Sequence, residues 1–499
     1  MRAIRTIFAT ALLMAAAPVA AERKAGPVDA DTAQWWALTR ELSDDAMEGR
    51  DTGSPAYDRA AALVARRFAQ AALKPVGEAG GWFQPVAFDD LRVDEAHSTI
   101  TLAGRALAFN REVLLSPVPD TPRRVDAPAT FRGFCAPEDI AGVAGKLVVC
   151  YGRPAPARLK DFDRARALRA GGAAGMVVIA APGLAAEPIH WPFAYSRSVT
   201  IAGAASAPAA PFLLGTLNPA VLPRLLPDAS QILARGAVGA DLPHADLGTF
   251  VADIAIMRRT TRSANVLGLL PGTDPKLADQ VVIVAAHLDG YGHGEPVKGD
   301  GIYNGALDDA AYVALLERLA MVRHGHGFTR PVLFAVFTGE EKGLLGSTWF
   351  ADHPAVPFKS IAAIINLDQI RPLYPLKLMT VHGLHESNLG DVVRRVATGQ
   401  GIAVQEDLEP ERNLLRRSDN WPLMAKGVPG LSFVLATYDA KSRAAYNDWY
   451  AHRYHHPADD LSTPIDWPAA RAFNTFFYRV AAGTANLPVP IALTTGGKD

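Results

Sequence analysis

Short apolar runs, each ending in a loop that carries glycine or a carboxylate, recur through the second half of the chain. Val281 to Ala286, Val332 to Phe337, Ile361 to Asp368, Leu378 to His382 and Gly430 to Val434 have the length and apolar content of buried strands. Asp308 to Val322, Leu345 to Ala351, Leu389 to Thr398 and Pro468 to Ala485 read as helices between or after them. This alternation predicts an α/β fold with a doubly wound, mostly parallel sheet flanked by helices. In the first half, Thr32 to Leu42 reads as a short helix and Trp82 to Val86 as a strand. Tyr57 to Ala72 puts Ala61, Leu63, Val64, Phe68 and Ala71 on one side of a second helix. From about Thr99 to Phe250 the texture changes. Thr99 to Leu102, Lys146 to Tyr151, Met176 to Ile179 and Pro211 to Leu214 are β-like, the connections are rich in Pro and Ala, and Leu159 to Ala170 is a basic helix. Pro117 to Pro128 reads as a linker. The stretch predicts a separate small α/β module without a cluster of reactive groups.

A chain of 499 residues exceeds one ordinary core and predicts two or three domains. Its net charge of −1 and the lack of a basic stripe interleaved with aromatics argue against nucleic acid as a partner. Arg2 and Arg5, the apolar segment Ile7 to Ala17 and the small residues Val19-Ala20-Ala21 read as a secretory signal over residues 1–21. That apolar run is short of the roughly 20 residues needed to span a membrane, and no later stretch reaches that length. The expected location is therefore exported, periplasmic or secreted. Cys135 and Cys150 are the only cysteines, and either a disulfide or two buried thiols fits them. Any metal must be held by His and carboxylates.

The stretch from Val281 to Asp309 organises the chemistry. Ligands in open α/β sheets collect at the carboxyl ends of strands, and five places there carry metal-compatible residues: His287 with Asp289, Asp308-Asp309, Glu340-Glu341, Asp368 and His455. Singly, each has a bland reading, as a helix cap, a solvated acid or a turn residue. Jointly they fall on loops at one side of the expected sheet. Zinc takes His nitrogen and carboxylate oxygen and leaves a position open for water in catalytic sites. Five ligands with one carboxylate shared would serve two ions. Of two adjacent Glu, one could bind metal and the other move protons. Asp289 could orient the His287 imidazole through its carboxylate.

The segments AAHLDG, GDGIYNGALDDAA, FTGEEKGLLGS, NLDQI and RYHHPADD resemble the di-zinc metallopeptidase family of bacterial secreted aminopeptidases, glutamate carboxypeptidase and the transferrin receptor. LSDDAMEGRDTGSPAYDRAAALVARRFAQAALKPVG resembles the N-terminal segment of bacterial members. FRGFCAPED, AGKLVVCYGR and ALRAGGAAGMVVIA resemble an inserted protease-associated domain. The resemblance implies a zinc peptidase domain over residues 22–94 and 251–490, an insert over 95–250 and a tail over 491–499. It assigns His287, Asp308 and Asp368 to one zinc, with Asp308 bridging and Glu341 and His455 completing the second of two Zn2+ ions. Glu340 would be the general base, and Tyr454 would help stabilise the oxyanion. His456 is the competing choice for the ligand.

Two departures bear on substrate preference. Asp309 and Tyr312 stand where relatives often have Asn and Gly, and Asn420 stands where they often have His; neither change is expected to touch a ligand. The implied function is an exported exopeptidase, most simply an aminopeptidase acting on peptides. A carboxypeptidase, a dipeptidase or a glutaminyl cyclase would use the same fold, and a non-catalytic binding protein is the reading from another class.

Overall fold

The computed structural model describes residues 26–152, 163–180, 189–204, 210–368 and 370–494. The signal reading, most of the Leu159 to Ala170 helix reading's first half, and residues 495–499 of the tail lie outside them. Two sheets dominate. The larger runs in the order Ala403–Gln405, Leu378–His382, Gly430–Leu435, Ile361–Asn366, Val281–His287, Val332–Phe337, Ile256–Leu270, Phe83–Val93 and Arg197–Ile201. Its centre is parallel: Val281–His287 pairs in that sense with Val332–Phe337 on one side and Ile361–Asn366 on the other. Antiparallel pairs lie on both sides of this centre, so the sheet is mixed.

Every residue of Val281–His287, Val332–Phe337 and Gly430–Leu435 is buried. That is why these segments read as unbroken apolar runs rather than alternating ones. Alternation survives in which face each side chain serves. Val282, Val284 and Ala286 join a core with the helices Ala30–Leu42, Pro55–Gln70, Ala311–Arg323 and Trp467–Ala485. Val281, Ile283 and Ala285 join the core beneath Leu345–Asp352. Helices on both faces leave the strand ends as the open edge of the layered domain, and the chemistry-bearing loops lie there.

The second sheet, between residues 99 and 253, runs Arg105–Ala106, Thr99–Leu102, His244–Asp253, Arg124–Arg132, Leu147–Tyr151, Gly175–Ile179, Leu213–Leu217 and Val113–Leu115 around its own core. Cys135 and Cys150 form a disulfide in it, packed against Val143, Leu168 and Phe212.

Several local expectations are corrected. Residues 124–128, expected in a linker, begin the strand Arg124–Arg132; Pro128 pairs opposite Thr249 beside a register shift, where a missing N–H is tolerated. Pro211 to Leu214 is displaced to Leu213–Leu217. Ile361 to Asp368 stops at Asn366, which frees Asp368 from the sheet. Asp308 to Val322 becomes helical only at Ala311, after an irregular turn over Ala306–Ala310. Trp82 to Val86 is the start of Phe83–Val93, whose far half pairs with an unforeseen strand, Arg197–Ile201. The long strand Ile256–Leu270 escapes the pattern because its first half is polar and largely exposed. Leu493 and Thr494, expected in the tail, are held to Ser387 and Glu386.

Candidate metal centre

The strand Val281–His287 delivers the His287 imidazole, 1% exposed, to the carboxyl edge of the sheet. Its Nδ1 lies 3.0 Å from the Asp289 carbonyl oxygen. The Asp289 carboxylate, expected to hold that imidazole, is 3.9 Å away and instead accepts the backbone N–H groups of Glu340 and Glu341. The chain turns after Leu288, so the carbonyl rather than the side chain faces the ring. Asp289 thus joins two loops: its main chain orients His287, and its carboxylate fixes the Glu340–Lys342 turn.

The Asp308-Asp309 pair does not cap a helix. Helix Ala311–Arg323 has Ala310 at its N-cap, and both acids sit in the preceding turn with non-helical backbone angles. The side chains therefore point back to the strand ends. Asp308 presents Oδ1 to His287 Nε2 at 3.5 Å and Oδ2 to His455 Nε2 at 3.4 Å. Asp309 accepts the His287 N–H at 3.1 Å, and its carboxylate reaches within 4.0 Å of Nε2. The expectation that Asp309 stays clear of the ligands is thus corrected, because the same irregular turn swings both acids inward.

Glu341 Oε2 lies 3.8 Å from His455 Nε2, and Glu340 Oε2 lies 4.0 Å from His287 Nε2. Asp368, released at the end of its strand, accepts a hydrogen bond from Ser418 Oγ at 3.1 Å. His455 itself has φ +58°, a left-handed backbone conformation uncommon for a residue with a side chain. Tyr454 stacks on its ring at 3.6 Å between centroids and joins a wall with Trp449, Tyr450 and the Arg371 guanidinium.

Among the described residues, three sets of side chains could each converge on a cation: His287, Asp308 and Asp368; Asp308, Glu341 and His455; and His287, Glu340 and Glu341. The first two share Asp308. Buried oxygens without a hydrogen-bond donor occur on Asp308, Glu341 and Asp368, whereas Glu340 has none. A buried carboxylate oxygen without a donor is costly unless a cation meets it, so this donor set fits metal ions bound by imidazole and carboxylate. Burial pushes Glu340, Glu341 and Asp309 well above the usual carboxylate range, and neighbouring acids add to it. Asp308 goes the other way: burial disfavours its charge, but the His287 and His455 imidazoles beside it outweigh that and hold it low.

Four further residues build the site. Arg50, fully buried, donates to the carbonyls of Leu42, Leu288, Asn304 and Gly305 and so ties the N-terminal segment to the loops after His287 and before Asp308. Gly49 beside it must lack a Cβ, which would lie 2.4 Å from the Tyr303 carbonyl oxygen. Asp459 accepts the N–H groups of Leu307 and Asp308. Tyr291 hydrogen-bonds Glu341 and lies 3.1 Å from His455 Nε2, while the Tyr195 hydroxyl lies 2.6 Å from His455 Nδ1. Arg50 and Asp459 fall inside segments already marked by motif and Tyr291 directly follows AAHLDG, which was the available signal. Nothing in the sequence around Tyr195 marks it.

Comparison with known proteins bears on the fold and on part of the sequence. The zinc aminopeptidase BSAP from Bacillus subtilis superposes with a TM-score of 0.60 over 94% of this chain and 96% of its own, at 16% identity. An aminopeptidase from Aneurinibacillus sp. strain AM-1 superposes with a TM-score of 0.58 over the same shares, at 17% identity. These likenesses concern the fold. In sequence, a probable zinc metalloprotease of Pyrenophora teres f. teres is 27% identical over 188 residues, which is 35% of this chain and 39% of the relative. The chain thus spans about two fifths of that curated relative's length. The family pattern that matches covers residues 265–481 and takes in His287, Asp308, Glu340, Glu341, Asp368 and His455. Residues 265–481 thus match Peptidase family M28, and the chain shares the fold of the solved aminopeptidases.

Proposed function

We propose that the chain is an exported, zinc-dependent exopeptidase, and most simply an aminopeptidase that removes N-terminal residues from peptides. The observation that carries this is the Asp308 carboxylate, whose two oxygens face two different imidazoles, His287 and His455. In this reading His287, Asp308 and Asp368 hold one Zn2+, and Asp308, Glu341 and His455 hold a second. Zinc when bound supplies Lewis acidity toward the scissile carbonyl and lowers the pKa of water.

The protein's own groups do the rest. Glu340 is not needed by either ligand set in this reading, so its carboxylate is free to move protons. Burial, with the nearby Glu341 charge adding to it, raises its proton affinity, as a group that takes up and returns a proton requires. Glu340 would take the proton from the attacking water and return it to the leaving amine nitrogen. Tyr454 lines the same pocket and would donate to the oxygen that gains charge. Asp289 keeps Glu340 and Glu341 apart in their roles by fixing their turn.

The pocket has a volume of about 340 Å³ and is lined by Asp308, Glu340, Glu341 and Asp368. Its size suits a chain end rather than a long segment, and its acids favour a substrate ammonium. Export is supported by the signal-like N-terminus and by the Cys135–Cys150 disulfide, which suits an oxidising compartment. Among the described residues no helix is long and apolar enough to cross a membrane.

A second reading has its own support. Arg416 and Arg417 stand on the pocket rim, where they would attract a carboxylate. That would favour a carboxypeptidase or dipeptidase acting on acidic peptides.

The test is hydrolysis of aminoacyl-anilides by the mature protein, with and without chelator, beside N-acetylated anilides and acidic dipeptides. Cleavage of free-amine anilides alone, lost with chelator and restored by zinc, is the expected result. Turnover only of acidic dipeptides or of blocked substrates would overturn the aminopeptidase reading in favour of the second. Glu340→Gln should retain zinc while turnover falls by roughly 10²–10⁴-fold; near-normal kcat in that variant would sink the base assignment.

A further inference from the structure

We propose that Tyr195, carried on the chain segment between the two sheets, is a positioning residue for His455, so that one of the two metal positions is completed from outside the family domain. The proposal rests on the reading of His455 as a zinc ligand.

Tyr195 belongs to the short turn Phe193–Ser196, 260 residues from His455 in sequence. Its hydroxyl lies 2.6 Å from His455 Nδ1, and its ring meets Tyr291 edge-on at 5.1 Å and 90°. Tyr454 stacks on the same imidazole, and Tyr291 approaches its ring at 4.4 Å. Three tyrosines therefore enclose the ring, and only Tyr195 engages its outer nitrogen.

A metal-binding imidazole coordinates through one nitrogen, and the hydrogen bond made by the other sets tautomer and rotation. Nε2 is the nitrogen that faces Asp308 and Glu341. Nδ1 then carries the proton, and the Tyr195 oxygen accepts it.

The turn is anchored well enough to do this. Pro192 pairs with Gly294, and the Glu295 N–H donates to the Trp191 carbonyl at 2.9 Å. Lys342 Nζ donates to the Ala194 carbonyl at 2.7 Å, directly after the ligand candidate Glu341. Arg197, 2% exposed, pairs with Asp51 and Asp90 at 2.7 and 3.0 Å, and from there the chain enters the main sheet.

The two histidines thus differ. The outer nitrogen of His287 is satisfied two residues away by the Asp289 carbonyl, whereas that of His455 depends on Tyr195. Removing one hydroxyl should therefore weaken one metal position and spare the other.

The experiment is zinc binding to the mature full-length protein by chelator competition, for wild type, Tyr195→Phe and His455→Ala, with thermal melting of each metal-free form. Tyr195→Phe keeps the ring and its packing. One zinc should bind it with wild-type affinity and the other roughly 10–100-fold more weakly, with metal-free melting unchanged. Two zincs at wild-type affinity in Tyr195→Phe, while His455→Ala loses one, would overturn this proposal alone. Equal weakening of both positions, or a lowered metal-free melting temperature, would show a structural role and overturn it too. If His455→Ala loses no zinc, the ligand reading fails and this proposal fails with it.

Discussion

At the scale of single residues, the site is governed by where the backbone stops being regular. His287 ends a strand, Asp368 stands just beyond one, and Asp308 sits in a turn that is not yet helix. These positions were legible because an apolar run that breaks off at His or Asp marks a strand end. The direction of each side chain was not. Asp289 was expected to act on His287 through its carboxylate, yet a carbonyl two residues along does so, and spacing alone does not tell one oxygen from the other. Asp459 stands in the same motif as His455 and holds the amides of Leu307 and Asp308 through both carboxylate oxygens. Asp459→Asn turns an N–H₂ toward one of those donors, so the Asp308 turn should loosen. We expect zinc affinity to drop by about 10–100-fold, with the metal-free fold retained; unaltered affinity in a chelator titration would remove Asp459 from the support of the site.

At the scale of elements, the N-terminal segment matters more than its polar loop suggested. Arg50 spends its guanidinium on four carbonyls from three loops, and burial lowers its pKa to about 10, still fully charged at neutral pH. Arg50→Met would fit the space but leave those carbonyls without donors. Unfolding in urea should register a loss on the order of 3–5 kcal/mol, and a change under 1 kcal/mol would contradict the bracing role. The disulfide acts on the other unit. It closes a loop of 15 residues, worth about 3 kcal/mol in chain entropy. The double variant Cys135→Ser with Cys150→Ser should lower the melting of the smaller sheet while zinc binding persists; loss of zinc at a temperature where the larger sheet is intact would refute that separation. Its pairing was open in sequence because two cysteines allow a bond without requiring one.

At the scale of the molecule, the sheet centre was legible and its flanks were not. Fully buried parallel strands announce themselves by composition, whereas Ile256–Leu270 and Arg197–Ile201 carry arginines and threonines that pattern reads as loop. Buried ionisable groups away from the site also set how the whole fold responds to pH. Glu317, fully buried on helix Ala311–Arg323, is pushed up to about 7 by burial, against the pull of Arg67 at 2.7 Å. Its folded pKa exceeds its unfolded one, near 4.3, so the native state holds the proton more tightly. Stability from this group is greatest below about pH 4 and declines as pH rises toward 7, by at most about 1.4 kcal/mol per unit. Melting between pH 5 and 8 should therefore fall less steeply in Glu317→Gln than in wild type; identical slopes would reject it.

The strand Arg197–Ile201 closes the larger sheet by covering Phe88–Arg92 of its neighbour. Excising residues 95–250 to obtain a minimal enzyme would strip that cover and bare a row of unpaired main-chain donors and acceptors. Such an edge is a template for pairing with another chain. The trimmed protein should consequently self-associate at micromolar concentration, visible in light scattering as growth with time, so the second unit also serves as a guard of solubility.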